Sequence, residues 1–320
     1  MTVADCLKTN IIAILKDARL APSVHNTQPW KVSLNTNHLH VSIDQQYQLE
    51  DGDPTGRQTI ISLGIFCEAV LISAQGYGLK ATSVTNDTKS ATISFSSCTP
   101  AAHSHLKHLR NRSTDRSIYR KGVIASDKLA EISQISPEAG VSIHVSSDEH
   151  MVRTTARLTS RGIGVALSSP NFRRELANYL VGYGSNKKRG ISVKSLYIPW
   201  IFGVIEPMSL KLGIGMKKEA ALEYKRWESA SAVIYLTATG DMPRNWFAVG
   251  RTYLRVSLVV EELKLSQATS AALVEASTYH EDIADLLDSK ERLQGVIRIG
   301  HGQKHRYKSP RVEPSKLLAT

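Results

Sequence analysis

Apolar residues recur every three or four positions over residues 3–20, which predicts an amphipathic first helix. The apolar positions are Val3, Leu7, Ile11, Ile14, Leu15 and Ala18. Pro22 ends this pattern, because proline has no backbone N–H and clashes with a preceding helical turn. Two strands, Trp30–Leu34 and His38–Ile43, are predicted next, around an Asn-rich turn.

Two long segments are mostly apolar and predict central helices. They are Arg57–Tyr77, which is followed by a strand pair at Lys80–Asn86 and Ala91–Ser96, and Arg244–Lys264. A helix that is apolar all round is typical of the centre of a fold or of an interface.

The rest of the second half alternates helical and strand-like patterns. The predicted helices are Asp127–Ile135, Glu149–Gly162, Asn171–Leu180, Glu219–Trp227 and His280–Leu287, and the predicted strands are Val141–Val145, Ala232–Ala238 and Gln294–Gly300. A polar stretch, residues 99–121, separates the two halves. Residues 182–200 contain three glycines, a basic run and a proline, which predicts a loop or a lid.

The two central helices align with a constant offset of 186 residues. The offset pairs identical residues at three positions, Gly64 with Gly250, Val70 with Val256 and Leu79 with Leu265. A strand-like segment precedes each helix. This pattern predicts an internal duplication in which each half provides one central helix.

The net charge of +11 over 320 residues admits nucleic acid, an anionic membrane or a phosphate-bearing ligand as a partner. Most basic residues are scattered, and aromatic residues do not interleave with them as in single-strand binders. The longest apolar stretch, near Ile198–Ile205, is far shorter than the ~20 residues that span a bilayer. We therefore expect a basic surface with one local phosphate site, no nucleic acid and no membrane.

The cysteines and histidines do not suggest a disulfide framework or a metal site. Cys6, Cys67 and Cys98 are far apart and form no CxxC pair, which fits a reducing compartment. His103, His105 and His108 have no nearby carboxylate, so no metal is expected. The N-terminus lacks the basic start and continuous apolar core of a signal peptide, and a cytoplasmic location is expected.

The segment APSVHNTQPW, residues 21–30, concentrates rigid and hydrogen-bonding residues in one turn. Pro22 and Pro29 fix φ, and Ser23, Asn26 and Gln28 offer short polar groups. One interpretation is a capped turn with a tryptophan anchor. The other is a rigid shelf whose polar groups meet the edge of a flat ligand.

A second candidate, LRNRSTDRSIYRKG from Leu109, surrounds hydroxyl groups with arginines. Guanidinium groups match phosphate oxygens, so the segment is a possible phosphate grip. The basic C-terminal segment GHGQKHRYKSPRVEP is a possible second arm. The alternatives are a solvated linker and a frayed tail. No GxxxxGK[ST] loop, GxGxxG fingerprint or GxSxG elbow occurs.

Several segments together resemble the FMN-dependent nitroreductase family. PSVHNTQPW, Pro22 to Trp30, is similar to its isoalloxazine-contacting turn, and RSTDR, Arg112 to Arg116, to its phosphate-binding R-x-[ST]-x-[RK] motif. YKSPR, Tyr307 to Arg311, resembles its C-terminal phosphate-side segment. The segment from Thr237 resembles its strand, turn and central helix. The reversed motif order and the length are similar to the twin-domain, Acg-like branch.

The resemblance implies an α+β, nitroreductase-like fold with antiparallel central sheets flanked by helices. Residues 1–100 would form one half, and residues 101–320 a second half whose C-terminal extension packs on the first. The two fused halves would form a monomeric pseudo-dimer with one FMN. The residues implied to bind it are Pro22, Ser23, Val24, Asn26 and Gln28 from the first half and Arg112, Thr114, Arg116, Lys308 and Arg311 from the second.

The implied activity is ping-pong hydride transfer from NAD(P)H through FMN to an electron-poor acceptor such as a nitroaromatic or a quinone. No protein side chain need act as a nucleophile, and the sequence singles out no catalytic residue. The alternative is a flavin-storage protein with little turnover. A lid at residues 182–200, or a loop near 44–57, would then cover the flavin.

Overall fold

The computed structural model describes residues 2–87, 89–97, 104–303 and 308–319. Within these ranges the chain forms two four-stranded sheets with helices packed against them, and neighbouring strands in both sheets are antiparallel. The predicted α+β class with antiparallel central sheets is confirmed. Cys98, His103 and Tyr307 lie outside the described residues.

The first sheet belongs to the N-terminal part of the chain. Its elements are α1 (Val3–Ala18), β1 (Trp30–Leu34), β2 (His38–Ile43), α2 (Arg57–Gly76), β3 (Leu79–Asn86) and β4 (Ser90–Ser97). The strand order is β1-β2-β4-β3, so α2 connects two strands that are separated by β4.

The second sheet has the same plan. After α3 (Ser104–Asn111) and α4 (Ser126–Ser133) come β5 (Val141–Ser146), α5 (Glu149–Ser168), α6 (Pro170–Asn178), β6 (Leu180–Val181), β7 (Ile191–Ser192), α7 (Trp200–Lys211), α8 (Met216–Glu228), β8 (Ala232–Ala238), α9 (Pro243–Glu262), β9 (Ser266–Thr269), α10 (Ala272–Glu275), α11 (Tyr279–Leu286) and β10 (Arg292–Gly300). The order is β5-β8-β10-β9, with α9 as the connecting helix. The two sheets therefore share one strand order.

Helices α2 and α9 cross at the two glycines that the 186-residue offset pairs. A Cβ atom on Gly64 would lie 2.2 Å from the carbonyl oxygen of Phe247, and one on Gly250 would lie 2.1 Å from that of Ile61. Ile61 and Phe247 are themselves 186 positions apart, as are the first and the last residues of the two helices. The crossing is thus reciprocal, and the backbones touch where neither residue has a side chain.

Buried charges fix the same interface. The Glu68 carboxylate on α2 accepts from Arg251 Nε at 2.8 Å and from Arg255 Nε at 2.7 Å, both on α9. Arg251 also reaches Glu138, which lies before β5. Among the described helices, α2 has the length and composition of a membrane span, but 83% of its most apolar window is buried inside the protein, as in a core helix.

Several elements differ from the sequence-based expectations, and three of them bear on the site or on the packing around it. Helix α5 continues to Ser168 instead of ending near Gly162. A Cβ on Gly162 would lie 2.5 Å from the carbonyl oxygen of Ala272, so this glycine permits close packing and does not end the helix. The polar stretch between the halves contains α3, and the end of the predicted loop at 182–200 continues directly into α7.

The C-terminal segment returns to the first sheet. The Ala319 N–H donates to the Val32 carbonyl at 2.8 Å, and Leu318 forms a parallel bridge with Val32. Arg19 at the end of α1 donates to the Val312 carbonyl at 2.8 Å. Residues 312–319 therefore lie along α1 and β1, next to the turn at residues 21–30.

Candidate functional site

The turn after α1 has an unusual backbone. His25, Asn26 and Gln28 have φ values of 44°, 54° and 49°, a region that non-glycine residues rarely adopt. Each such residue costs of order 1–3 kcal/mol and persists only when its surroundings hold it. Ser23 Oγ accepts from the Gln28 N–H at 2.9 Å, and the Val24 N–H donates to Ser62 Oγ on α2. The turn is therefore a fixed shelf against α2.

Two distant segments complete this shelf. The Asn26 side-chain amide donates to the carbonyls of Gly190 and Pro310, each at 2.9 Å. The Gln28 amide donates to the Lys188 carbonyl at 2.8 Å, and its Oε1 accepts from a backbone N–H of the C-terminal segment. In the structure these two amides hold chain segments in place and so position the turn's backbone.

The arginine-rich segment, residues 109–122, begins in the last turn of α3. It meets the C-terminal segment at a small cavity. The cavity has a volume of about 40 Å³ and is lined by Leu20, Arg110, Arg112, Ser113, Thr114, Ser195, Lys308, Ser309 and Arg311. Cations and hydroxyl groups thus dominate its wall. This is the donor chemistry that recognises a phosphate group.

Three guanidinium groups meet here with donors left over. Arg112 Nε and Nη1, Arg311 Nε and Arg19 Nε are buried and have no hydrogen-bond partner among the residues that the structure describes. Burial, with the neighbouring positive charges of Arg112 and Arg19, lowers the pKa of Arg311 to about 9. Burial also lowers the pKa of Arg112. Like charges that are buried together are costly unless an anion compensates them.

The charge of Arg116 acts on His25 in the turn. Burial lowers the pKa of His25 to about 4, and the positive charge of Arg116 contributes to the same shift. The pKa of Arg116 is itself lowered by burial. The His25 ring lies 6.1 Å from the Phe172 ring and 6.4 Å from the Tyr179 ring. His25 therefore stays neutral at pH 7, buried beside two aromatic rings.

Other charged residues of the arginine segment have structural partners. Arg110 forms an ion pair with the buried Asp17, with Nη2 at 2.7 Å from Oδ2, although it also reaches the cavity wall. The side chain of Arg120 is exposed. Asp115 is buried and accepts from Ser266 Oγ at 2.9 Å and from the Tyr197 hydroxyl at 3.1 Å. Of these two arginines, Arg110 is therefore held by an ion pair at the cavity wall, and Arg120 faces the solvent.

Residues 182–199 cover both parts of the site. Arg189 Nε donates to the Thr27 carbonyl at 2.9 Å, and its guanidinium lies 3.6 Å from the centre of the Tyr47 ring. Tyr197 reaches Asp115, and Ser195 lines the cavity. Small-molecule sites typically occupy several hundred Å³. The cavity therefore matches one anionic group, and a larger ligand requires residues 182–199 to move.

The structure brings all ten sequence-predicted site residues into this region. Pro22, Ser23, Val24, Asn26 and Gln28 form the shelf, Arg112, Thr114, Lys308 and Arg311 line the cavity, and the positive charge of Arg116 lowers the pKa of His25. Sequence reasoning missed Arg19, Ser195 and Tyr197. Arg19 could have been noticed as the charged residue directly before the turn, whereas Ser195 and Tyr197 carry no motif.

The comparisons with known proteins point in one direction. No family model matches the chain. A probable NAD(P)H nitroreductase, PigM, of Serratia sp. (strain ATCC 39006) is 28% identical over 176 residues, which is 51% of this chain and 49% of that protein. A putative NAD(P)H nitroreductase of Mycobacterium tuberculosis (strain ATCC 25618 / H37Rv) is 34% identical over 68 residues, 21% of this chain and 20% of that one. The chain thus matches about half the length of the first relative and a fifth of the second.

Solved structures of similar shape include two FMN-dependent nitroreductases. NfnB from "sphigopyxis sp. strain HMH", an FMN- and NADPH-dependent nitroreductase, has a TM-score of 0.43 at 19% identity, and the match covers 68% of this chain and 98% of that one. NfnB from Mycobacterium smegmatis, in complex with NADPH, has a TM-score of 0.41 at 16% identity, over 66% and 94%. The sequence relatives support the nitroreductase family.

Proposed function

We propose that this chain is an FMN-dependent NAD(P)H oxidoreductase of the nitroreductase type. The observation that carries the proposal is the group of buried, unpartnered guanidinium donors on Arg112 and Arg311, beside Lys308 and directly next to the strained turn. A cavity wall of this composition favours a phosphate monoester. The adjoining rigid backbone favours a planar ring with polar edges.

Different residues would bind different parts of the cofactor. Arg112, Arg311, Lys308 and Thr114 would hold the phosphate of FMN, with Arg116 close by. The backbone of Pro22, Ser23 and Val24 would meet the flavin ring. Asn26 and Gln28 would act through the shelf that their amides hold in position. The donor set fits the phosphate of the cofactor. The whole cofactor is larger than the cavity, so residues 182–199 would have to move for it to bind.

Bound FMN supplies two-electron chemistry that amino-acid side chains do not have. The chain's own residues bind and orient it, and residues 182–199 exclude water from the site. The reaction class is hydride transfer from NAD(P)H to an electron-poor acceptor, such as a nitroaromatic or a quinone, with ping-pong kinetics. The names of the Serratia and mycobacterial relatives support NAD(P)H as the donor.

We also propose that the chain is a fused pair of halves, residues 1–100 and 101–320, as the twin-domain branch implies. The shared strand order and the reciprocal packing of Gly64 and Gly250 support this proposal. One chain would then form a monomeric pseudo-dimer with one FMN, held by the turn of the first half and the arginines of the second.

Steady-state kinetics test the activity. The purified, FMN-loaded chain should oxidise NADH or NADPH with a nitroaromatic or a quinone as acceptor. Double-reciprocal plots at several acceptor concentrations should give parallel lines. A chain that retains FMN but shows no turnover with either nucleotide would contradict the enzyme and indicate flavin storage. The names of the relatives do not favour that alternative.

A further inference from the structure

Helix α7 has its apolar face on the outside. Along its length Trp200, Ile201, Phe202, Val204, Ile205 and Met208 are each at least 54% exposed. The inward residue is Gly203, which packs under the Tyr183 ring and Val193. A surface helix of a soluble protein normally turns its polar face to water. The arrangement on α7 is the reverse.

The apolar surface continues past the end of the helix. Leu212 and Ile214 in the following turn are 66% and 64% exposed. Monomeric soluble proteins rarely expose contiguous apolar patches of this kind without a binding role. The face of α7 together with Leu212 and Ile214 is called the α7 patch here.

Basic residues flank the α7 patch along the chain. Residues 183–218 contain seven lysines and arginines and one acidic residue, Glu206. The exposed lysines lie before the patch, at Lys187 and Lys188, and after it, at Lys211, Lys217 and Lys218. Among the described residues, Lys194 Nζ lies 5.3 Å from the centre of the Tyr183 ring, which adds a cation beside Gly203.

We propose that the α7 patch docks on an anionic lipid surface, with α7 lying in the plane of the interface. Apolar and aromatic side chains enter the headgroup region, and lysines attract anionic headgroups. Charge complementarity favours this occupant over a second copy of the chain. A two-fold dimer would place the same basic rim against itself. The sequence-based expectation of no membrane rested on spanning length, which a helix lying on the surface does not need.

Vesicle binding tests the proposal with the full chain, whether or not it carries FMN. Vesicles of phosphatidylcholine with about 30% phosphatidylglycerol should bind it. Vesicles of phosphatidylcholine alone should bind at least about tenfold more weakly, and so should the anionic vesicles in about 0.5 M NaCl. The variant Trp200→Ser/Ile201→Ser/Val204→Ser should lose at least about tenfold in partitioning, because the three side chains supply much of the buried apolar area.

Matched variants separate the patch from general effects. Val123→Ser/Met242→Ser removes exposed apolar side chains elsewhere and should bind like the wild type. Lys217→Glu/Lys218→Glu should weaken binding, whereas Lys8→Glu on α1 should have a much smaller effect. Unchanged far-UV circular dichroism shows that each variant is folded.

Two outcomes overturn the proposal. Either the wild type fails to bind anionic vesicles, or the triple variant binds them as well as the wild type does. In the first case, self-association of the wild type with concentration, while the triple variant stays monomeric, would assign the α7 patch to a second copy. Vesicle binding does not require hydride transfer. A chain that shows no hydride transfer can therefore still bind vesicles, and the two proposals fail independently.

Discussion

At the scale of single residues, the site is defined by arginine donors for which the described residues provide no acceptor. Buried Nε atoms of Arg19, Arg112 and Arg311 have no hydrogen-bond partner among the described residues, and the pKa of Arg311 falls to about 9. Of the other buried arginines, Arg57 and Arg226 form ion pairs with acidic residues, and Arg298 donates to backbone carbonyl groups. We expect the cluster to bind an anion, because its buried donors have no acceptor among the described residues.

Removing two arginines tests this reading. Arg112→Ala/Arg116→Ala should weaken FMN binding at least about 100-fold, because each charge-assisted hydrogen bond contributes about 1.5–3 kcal/mol. Arg120→Ala, in the same segment but with an exposed side chain, should bind FMN like the wild type. Titration of the apoprotein with FMN, followed by flavin fluorescence, gives both dissociation constants. Equal dissociation constants for the double variant and the wild type would remove the two arginines from the site.

His25 should give stability a specific pH dependence. Its pKa is about 4 in the folded chain and 6.5 when unperturbed, so the unfolded chain binds more protons between these values. The free energy of unfolding should therefore fall as the pH drops from 6.5 to 4, by at most about 3 kcal/mol from this residue. The variant His25→Asn should lack this contribution, and asparagine tolerates the positive φ.

Urea unfolding at pH 7 and at pH 4.5, for wild type and His25→Asn, makes the comparison. The difference between the two proteins is needed because Asp53 acts in an overlapping window with the opposite sign. Burial raises its pKa to about 6, so its contribution grows as the pH falls from 6 to 3.8. An identical loss of stability in both proteins would show that His25 is not held neutral.

At the scale of elements, the crossing of α2 and α9 holds the two sheets together. Gly64→Ala should lower the free energy of unfolding by about 3 kcal/mol, because the new Cβ would meet the Phe247 carbonyl oxygen. Gly164→Ala on α5, where a Cβ meets nothing within 4 Å, should raise it by up to about 1 kcal/mol through helix propensity. Chemical denaturation measures both. A cost at Gly164 equal to that at Gly64 would contradict a specific crossing.

The segment over the site should control access to it. Arg189→Ala removes the hydrogen bond to the Thr27 carbonyl and the contact with the Tyr47 ring, so residues 182–199 should open more easily. We expect the association rate constant for FMN to rise about tenfold, since a charged hydrogen bond contributes about 1.5–3 kcal/mol. Lys187→Ala, exposed in the same segment, is the control. Stopped-flow quenching of flavin fluorescence measures both, and an unchanged rate for Arg189→Ala would rule out gating by this contact.

Sequence patterns predicted those helices and strands whose structure is determined by their own residues. The apolar runs gave α2 and α9 within a residue or two, and alternation gave β1 and β2 with their observed ends. Other predictions were wrong where the structure depends on contacts with residues far away in the sequence. Gly162 marked a helix end in the sequence because its partner, Ala272, is 110 positions away. Helix α7 was missed because its first residues are almost all apolar and Pro207 lies inside it, so no amphipathic pattern marks the helix.

The candidate site was likewise predictable in its local motifs but not in its long-range contacts. Its motifs at residues 21–30 and 112–116 are local and could be found in the sequence. The contacts of Asn26 and Gln28 with residues 188–190 and 310–312 could not, because they join segments more than 150 residues apart. The cluster with Arg19 also appears only once the C-terminal segment lies along α1.

At the scale of the whole molecule, the chain combines two sheets of one plan into a single body. The strand orders β1-β2-β4-β3 and β5-β8-β10-β9 are equivalent, and the helices between them pack through residues 186 positions apart. The turn follows α1 in the first part, and the arginines follow the first sheet. The site therefore exists only when the chain is folded as a whole.

The most direct test of the account is the visible absorption spectrum of the purified full chain, with mass-spectrometric identification and quantification of the released cofactor. The account predicts the absorption bands of a flavin and the release of one FMN per chain. A colourless protein that also fails to take up added FMN, or one that releases a different phosphate-bearing ligand from this cavity, would contradict it.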